Sequence, residues 1–154
     1  MVVFLGLGTN LGDRESHLLS AIEEIQKWIG PVRAQSSFVK TQPWGFDSTN
    51  AFLNAVVAVD TPLEPFALLD VTQAIERRLG REHKSVAGVY HDRVIDIDIL
   101  VYGDSFIRTP RLTIPHPLLS QRLFVLEPLS EIAPALRPPG CDDTVENLKK
   151  RLTL

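Results

Sequence analysis

Residues Arg93 to Leu100 run RVIDIDIL, with isoleucines at 95, 97 and 99 alternating with aspartates at 96 and 98. A strict period of two is the mark of a strand, not of a helix. One face of that strand is apolar and belongs to a core. The other holds two carboxylates whose Cα atoms stand roughly 6.5 Å apart. A sheet containing this segment cannot be buried alike on both faces, because a carboxylate among β-branched side chains costs several kcal/mol unless paired or metal-bound. Two acids this close repel, so one takes up a proton unless a cation sits between them. Magnesium, a hard ion that prefers oxygen, suits that position, and phosphoryl-transfer sites use two ions about 3.5–4 Å apart. A bare D-x-D fits a solvated strand face at least as well. What adds weight is the neighbourhood, since Arg93 and a basic loop lie just upstream. Carboxylates, magnesium and arginines converging on one place is the electrostatic recipe for a nucleoside triphosphate.

The remaining periodicities supply a frame for that strand. VVFLGLG (2–8) is a short apolar strand. From Asp13 to Ile29, Leu18, Ile22, Ile25 and Ile29 form one helical stripe, closed by Gly30-Pro31. Residues 32–40 form a second strand, 42–50 a loop containing Trp44, and 51–61 a third strand with Phe52, Asn54, Val56 and Ala58 on one face. Pro65 opens a second helix with Leu68, Val71, Ile75 and Leu79 on one side and Gly80 as its stop. A loop without periodicity, REHKSVAGVYHD, leads to the aspartate strand. After a turn at Gly103-Asp104 come an extended piece, IRTPRLTIP, a short helix near Ser120–Leu129 and a tail helix near Thr144–Leu152. Strands two and three are joined without a helix. The order βαββαβ therefore predicts an α+β, ferredoxin-like fold: a mostly antiparallel sheet with helices on its faces and extra C-terminal strand and helix elements.

Composition removes other classes. At 154 residues the chain is expected to be a single domain, residues 1–154, with a core large enough to need no disulfide. One cysteine, Cys141, rules out a disulfide framework or a cysteine zinc cluster and fits a reducing compartment. A net charge of -3 argues against nucleic acid as partner, and no run reaches membrane-spanning length. GLGTNLG, Gly6 to Gly12, lacks the dinucleotide-binding spacing, and no acid follows to hold a ribose. It is expected to be a tight turn that brings backbone close to a neighbour or a ligand. No P-loop motif occurs. The phosphate device left is the loop from Arg81 to Arg93, with several cations and the small residues Ser85, Ala87 and Gly88, as a closing lid would have.

These segments together resemble the 6-hydroxymethyl-7,8-dihydropterin pyrophosphokinase family of folate biosynthesis. The likeness runs through LGLGTNLGD, TQPWG, FLNAVV, TQAIERRLGR, DRVIDIDIL and LTIPHPLLSQRLFVLEPLSEIAP, in order and over nearly the whole chain. The resemblance implies a cytoplasmic monomer that transfers the terminal diphosphate of ATP to the hydroxymethyl group of a reduced pterin, releasing AMP. It implies that Asp96 and Asp98 hold two Mg2+ ions and that Arg81 and Arg93 grip the phosphates as the bond changes hands. Gln73, Glu76, His83, Ile99, Arg111, Thr113, His116 and Arg122 would line the ATP site, and Thr41, Gln42, Trp44, Phe52, Asn54 and Phe124 the pterin pocket. The chemistry of the pocket agrees: a flat bicycle asks for aromatic faces, and its donor–acceptor edge asks for an amide such as Asn54.

The lid departs from the family pattern. Its usual Gly-Pro pair before the arginine is replaced by Val89-Tyr90-His91-Asp92-Arg93, and a frequent lid arginine is His83. A non-catalytic nucleotide- or pterin-binding module of the same fold is the alternative this leaves open.

Overall fold

The structure is a computed structural model and describes residues 1–41, 51–80 and 94–153. Among these residues there are seven strands and four α-helices: β1 (Val2–Thr9), α1 (Arg14–Trp28), β2 (Val32–Gln35), β3 (Val39–Thr41), β4 (Phe52–Asp60), α2 (Pro65–Arg78), β5 (Asp96–Tyr102), β6 (Ile107–Arg108), β7 (Thr113–Ile114), α3 (Leu123–Ile132) and α4 (Val145–Thr153). One sheet has the order β2-β4-β1-β5 with β3 also on β4, every pair antiparallel. With β2 and β3 counted as the second strand, this is the ferredoxin-like arrangement the element order predicts, and among the described strands β5 forms one edge.

Alternation divides the sheet into two faces. Val3, Leu5 and Leu7 of β1, Ala55, Val57 and Val59 of β4, and Ile95, Ile97 and Ile99 point to the side covered by α1 and α2. There they meet Leu18, Ala21, Ile25, Leu68 and Ile75 in one core. Asp13 caps α1 by accepting the Ser16 N–H at 3.2 Å, and Pro65 stands at the first turn of α2, where its missing N–H costs nothing. Gly30 has φ +156°, and a Cβ there would lie 2.0 Å from the Asp60 carbonyl oxygen, so the predicted helix stop is also a steric requirement. On the opposite face, Val56, Leu100 and Val101 pack against Leu119, Val125, Leu126 and Leu129 and against Val145 and Leu148 of α4.

Three expectations change in detail. The strand anticipated over 32–40 is two strands, because the Ser36 hydroxyl accepts the Val56 N–H at 2.9 Å. Ser37 turns away to donate its N–H and hydroxyl to Glu131 at 2.8 Å each. The extended piece after Gly103 is the small hairpin β6–β7, closed by bonds between Thr109 and Leu112. The helix expected near 120–129 is one 3-10 turn, Leu119–Gln121, followed by α3, which runs on to Ile132 with Pro128 inside it.

Candidate active site

Helices α3 and α4 cover only part of their face. The strand ends beside them, the start of β4, the end of β1 and the start of β5, carry a different set of residues. Asn54 pairs across β1 with Gly8, and Gly8 pairs with Asp96; in the next row Val56, Gly6 and Asp98 stand side by side. Directly paired residues present their side chains on the same face. Asp96 and Asp98 therefore share that face, separated from the Asn54 row by glycines that place no side chain between them. Gly6 and Gly8 lie within β1, not in the turn expected for the GLGTNLG segment. Only Gly12, with φ +64°, shows turn geometry. A Cβ on Gly8 would stand 3.1 Å from Asn54 Oδ1, so this floor is already filled to contact.

Asn54 is 6% exposed, and its amide nitrogen donates to Thr41 Oγ1 at 2.8 Å. Thr41, opposite Phe52 in the β3–β4 pair, also borders a cavity of about 320 Å³ lined by Gln121, Arg122, Leu123, Phe124 and Glu127. Arg122 lies over the Phe124 ring, 5.5 Å from its centroid. His116 closes the circuit back to the acids. Burial first, then the positive charge of Arg122, lowers its pKa from 6.5 to about 4, and the charge of Asp96 partly opposes them. Its Nδ1 accepts the Leu118 N–H at 3.2 Å. The ring is therefore neutral at pH 7, and its proton sits on Nε2.

Among the described residues, Thr41, Phe52, Asn54, Phe124, Asp96, Asp98, His116 and Arg122 thus lie around one half of this face. The other expected nucleotide residues lie on the far side of β5. Ile99 is buried in the α1/α2 core, Gln73 is exposed on α2, and Thr113 belongs to β7. Glu76 is 5% exposed and accepts the Ile97 N–H at 2.8 Å. Arg111 donates to Asp70 on α2 and lies 5.9 Å from the Phe66 ring centroid. Gln42 and Trp44, and Arg81, His83, Tyr90, His91 and Arg93 with the rest of the expected lid, fall outside the described residues. Sequence reasoning missed Gln121 and Glu127 of the cavity and Asp70. None of them follows from periodicity, because their surroundings come from distant parts of the chain.

Among the described residues no group of three or more His, Cys, Asp or Glu assembles into a metal cluster. Two half-buried carboxylates on one face suit a hard divalent ion whose remaining ligands come from phosphate oxygens and water, the usual habit of magnesium.

Paired carboxylates, a buried amide and an aromatic ring on one half of a sheet face are the parts that a transferase joining a phosphorylated donor to a flat polar acceptor requires. The comparisons name the kind. A model of the family described as 7,8-dihydro-6-hydroxymethylpterin-pyrophosphokinase (HPPK) matches residues 4–134. Over 138 residues the chain is 52% identical to 2-amino-4-hydroxy-6-hydroxymethyldihydropteridine pyrophosphokinase of Porphyromonas gingivalis, covering 89% of this chain and 94% of that protein. It is 39% identical over 152 residues to the Aquifex aeolicus protein of the same name, covering 99% of this chain and 92% of that one. Plasmodium falciparum HPPK-DHPS, solved with pteroate, superposes with a TM-score of 0.78 at 18% identity, over 97% of this chain and 42% of that longer one, a likeness of fold. The chain belongs to the 7,8-dihydro-6-hydroxymethylpterin-pyrophosphokinase family. Among the described residues no helix is long and apolar enough to cross a membrane.

Proposed function

We propose that residues 1–154 act as one pyrophosphokinase domain. It transfers the terminal diphosphate of ATP to the hydroxymethyl group of 6-hydroxymethyl-7,8-dihydropterin in folate biosynthesis. We place the protein in the cytoplasm as a monomer working on small molecules, with neither nucleic acid nor membrane as partner. The observation that carries the reading is the row Asn54–Gly8–Asp96, in which a buried amide and a half-buried carboxylate flank a glycine, two strand spacings or about 10 Å apart.

The pterin lies between Phe52 and Phe124, its edge on Asn54 and Thr41, with Gln42 and Trp44 completing the pocket. The geometry supports this, because the Asn54 amide is already oriented by Thr41 and loses little freedom on binding. The triphosphate lies towards Asp96, Asp98, His116 and Arg122. Two Mg2+ ions held by the aspartates would neutralise the phosphate oxygens when bound. Neutral His116 supplies an N–H donor, and Arg122, held over Phe124, supplies a fixed cation. Arg81 and Arg93 stabilise the charge that develops on the transferred group, and His83 takes part in holding ATP.

The nucleoside wraps the β5 edge, towards Gln73, Arg111 and Thr113. The Ile99 side chain is buried, so its contribution comes from its backbone. The pterin hydroxyl oxygen forms a bond to the β-phosphorus while the bond from that phosphorus to the α-phosphate oxygen breaks. AMP departs with the electron pair, and the hydroxyl proton passes to solvent. No general base is needed where positioning and electrostatics carry the step.

The test is AMP formation from ATP with and without the hydroxymethyl pterin. Pterin-dependent AMP release that Asp98→Ala abolishes is the expected result. Binding of both ligands without AMP would make the chain a non-catalytic module.

A further inference from the structure

The nucleotide set implied by the resemblance includes Glu76, yet its carboxylate is turned into the protein. Glu76 sits on α2, is 5% exposed, and its Oε2 accepts the N–H of Ile97 at 2.8 Å in a buried bond. Ile97 is the residue between Asp96 and Asp98, and its own side chain enters the α1/α2 core. We infer that Glu76 is a positioning residue: by holding the peptide between the two aspartates it fixes where both carboxylates stand. The inference rests on the reading of Asp96 and Asp98 as the divalent-cation ligands.

The physical case begins at the sheet edge. Among the described strands β5 pairs with β1 alone. The buried Ile97 N–H takes the Glu76 carboxylate as its acceptor, and a buried N–H without a partner is costly. A charged acceptor makes a bond roughly twice as strong as a neutral one, which compensates in part for burying the carboxylate. The next anchor along this edge is the Leu100 carbonyl, which accepts the His116 N–H at 2.9 Å. The stretch carrying both acids is thus pinned from α2 at Ile97 and from the His116 segment at Leu100.

The pinning matters for a metal site. Residues two apart on a strand have Cα atoms about 6.5 Å apart and share a face, and a site for a small hard ion tolerates only a few tenths of an ångström of error. A shift of the 96–98 peptide would carry both ligands with it. Outer contacts that orient metal ligands typically change metal affinity 10–100-fold when removed.

The experiment compares Glu76→Gln, which keeps a carbonyl oxygen for the Ile97 N–H, with Glu76→Ala, which removes the acceptor. Glu76→Met fills the volume if the alanine variant does not fold. Three quantities are measured: exchange of the Ile97 amide in metal-free protein, Mn2+ binding by EPR with a non-hydrolysable ATP analogue, and pterin affinity as a check on the rest of the site. In Glu76→Ala or Met, Ile97 should lose protection. Mn2+ should bind about tenfold more weakly, with a matching rise in the Mg2+ needed for half-maximal turnover. Pterin affinity should change less than about twofold, and Glu76→Gln should stay within about threefold of the parent throughout. A merely structural glutamate would lower melting temperature without moving the Mn2+ constant. Unchanged Mn2+ affinity in the alanine or methionine variant overturns the proposal, as does a glutamine variant as impaired as they are. Failure of the parent reading is seen separately, as Asp98→Ala that still binds Mn2+ at full strength.

Discussion

The two faces of this sheet are built from the same strands and differ in what they bury. Towards α1 and α2, alternate residues of β1, β4 and β5 are apolar throughout, and their cluster includes twelve Val, Leu and Ile side chains no more than 3% exposed: Val3, Leu5, Leu7, Leu18, Ile25, Ile29, Val57, Val59, Leu68, Ile75, Ile95 and Ile114. Towards α3 and α4, the apolar part ends at Val56 and Leu100. Beyond it the same alternation gives Gly8, Asn54, Asp96 and Asp98. One face supplies cohesion for the whole fold, while half of the other gives up apolar burial for polar groups. Stability and chemistry are therefore written into residues one position apart.

The sharpest way to break that contrast is to change neighbours. Ile97→Ala removes buried methyl groups from the α1/α2 core and should cost about 2–5 kcal/mol of unfolding free energy. The folded fraction should keep its turnover. Asp98→Ala, next in sequence and on the opposite face, should reduce turnover at least about a hundredfold while costing less stability than Ile97→Ala. Denaturant titration and AMP release, measured on the same preparations, decide it. Loss of both properties in both variants would mean the faces are not separable.

Gly8→Ala tests the floor of the ligand face. The new Cβ would stand 3.1 Å from Asn54 Oδ1, tight enough that the amide must yield. Displacing it from Thr41 should weaken pterin binding about tenfold, within the range that overpacking usually costs. Affinity for the ATP analogue should hold. Equal losses for both ligands would show that the glycine row serves the strand and not the pocket.

His116 separates the faces through pH. Its pKa is about 4 in the folded protein against an ordinary 6.5. Between those values the unfolded chain binds a proton that the folded chain refuses. Stability is therefore undiminished above 6.5 and falls as pH drops towards 4. Because the ring is partly solvated, the loss should be discounted to about 2 kcal/mol. Unfolding curves at pH 7, 5.5 and 4.5 should show this decline, and His116→Asn should flatten it. An unchanged slope in the variant would assign the acid sensitivity elsewhere.

How legible each face is from sequence follows from how local its causes are. The α1/α2 core follows from periodicity, because Leu18, Ile25, Leu68, Ile75, Ile97 and Ile99 need only their own helix or strand to define a side. The aspartate pair is visible for the same reason. The break between β2 and β3 is not, because it depends on Glu131 meeting Ser37 across 94 residues. Gly6 and Gly8 look like turn glycines locally, and only their pairing with Asp98 and Asp96 reveals a floor. The neutrality of His116 and the inward turn of Glu76 depend likewise on neighbours that folding supplies.

The smallest expected effect concerns the nucleotide side, where Arg111 is fixed by contacts the motifs do not foretell. One guanidinium nitrogen donates to Asp70, and the group lies against Phe66. Both members of the ion pair are more than half exposed, so the pair adds little to stability. What it supplies is orientation: one of five donors is engaged and one face lies against a ring, so in the proposed nucleotide site the rest of the fork would be aimed before ATP binds. Asp70→Ala should leave unfolding free energy within about 0.5 kcal/mol and weaken ATP-analogue binding about threefold, with pterin binding unmoved. Asp70→Asn, which keeps an acceptor, should fall between the two. Tighter ATP binding on removal of Asp70 would reverse the argument, because the carboxylate would then compete with the triphosphate for the arginine that it now aims.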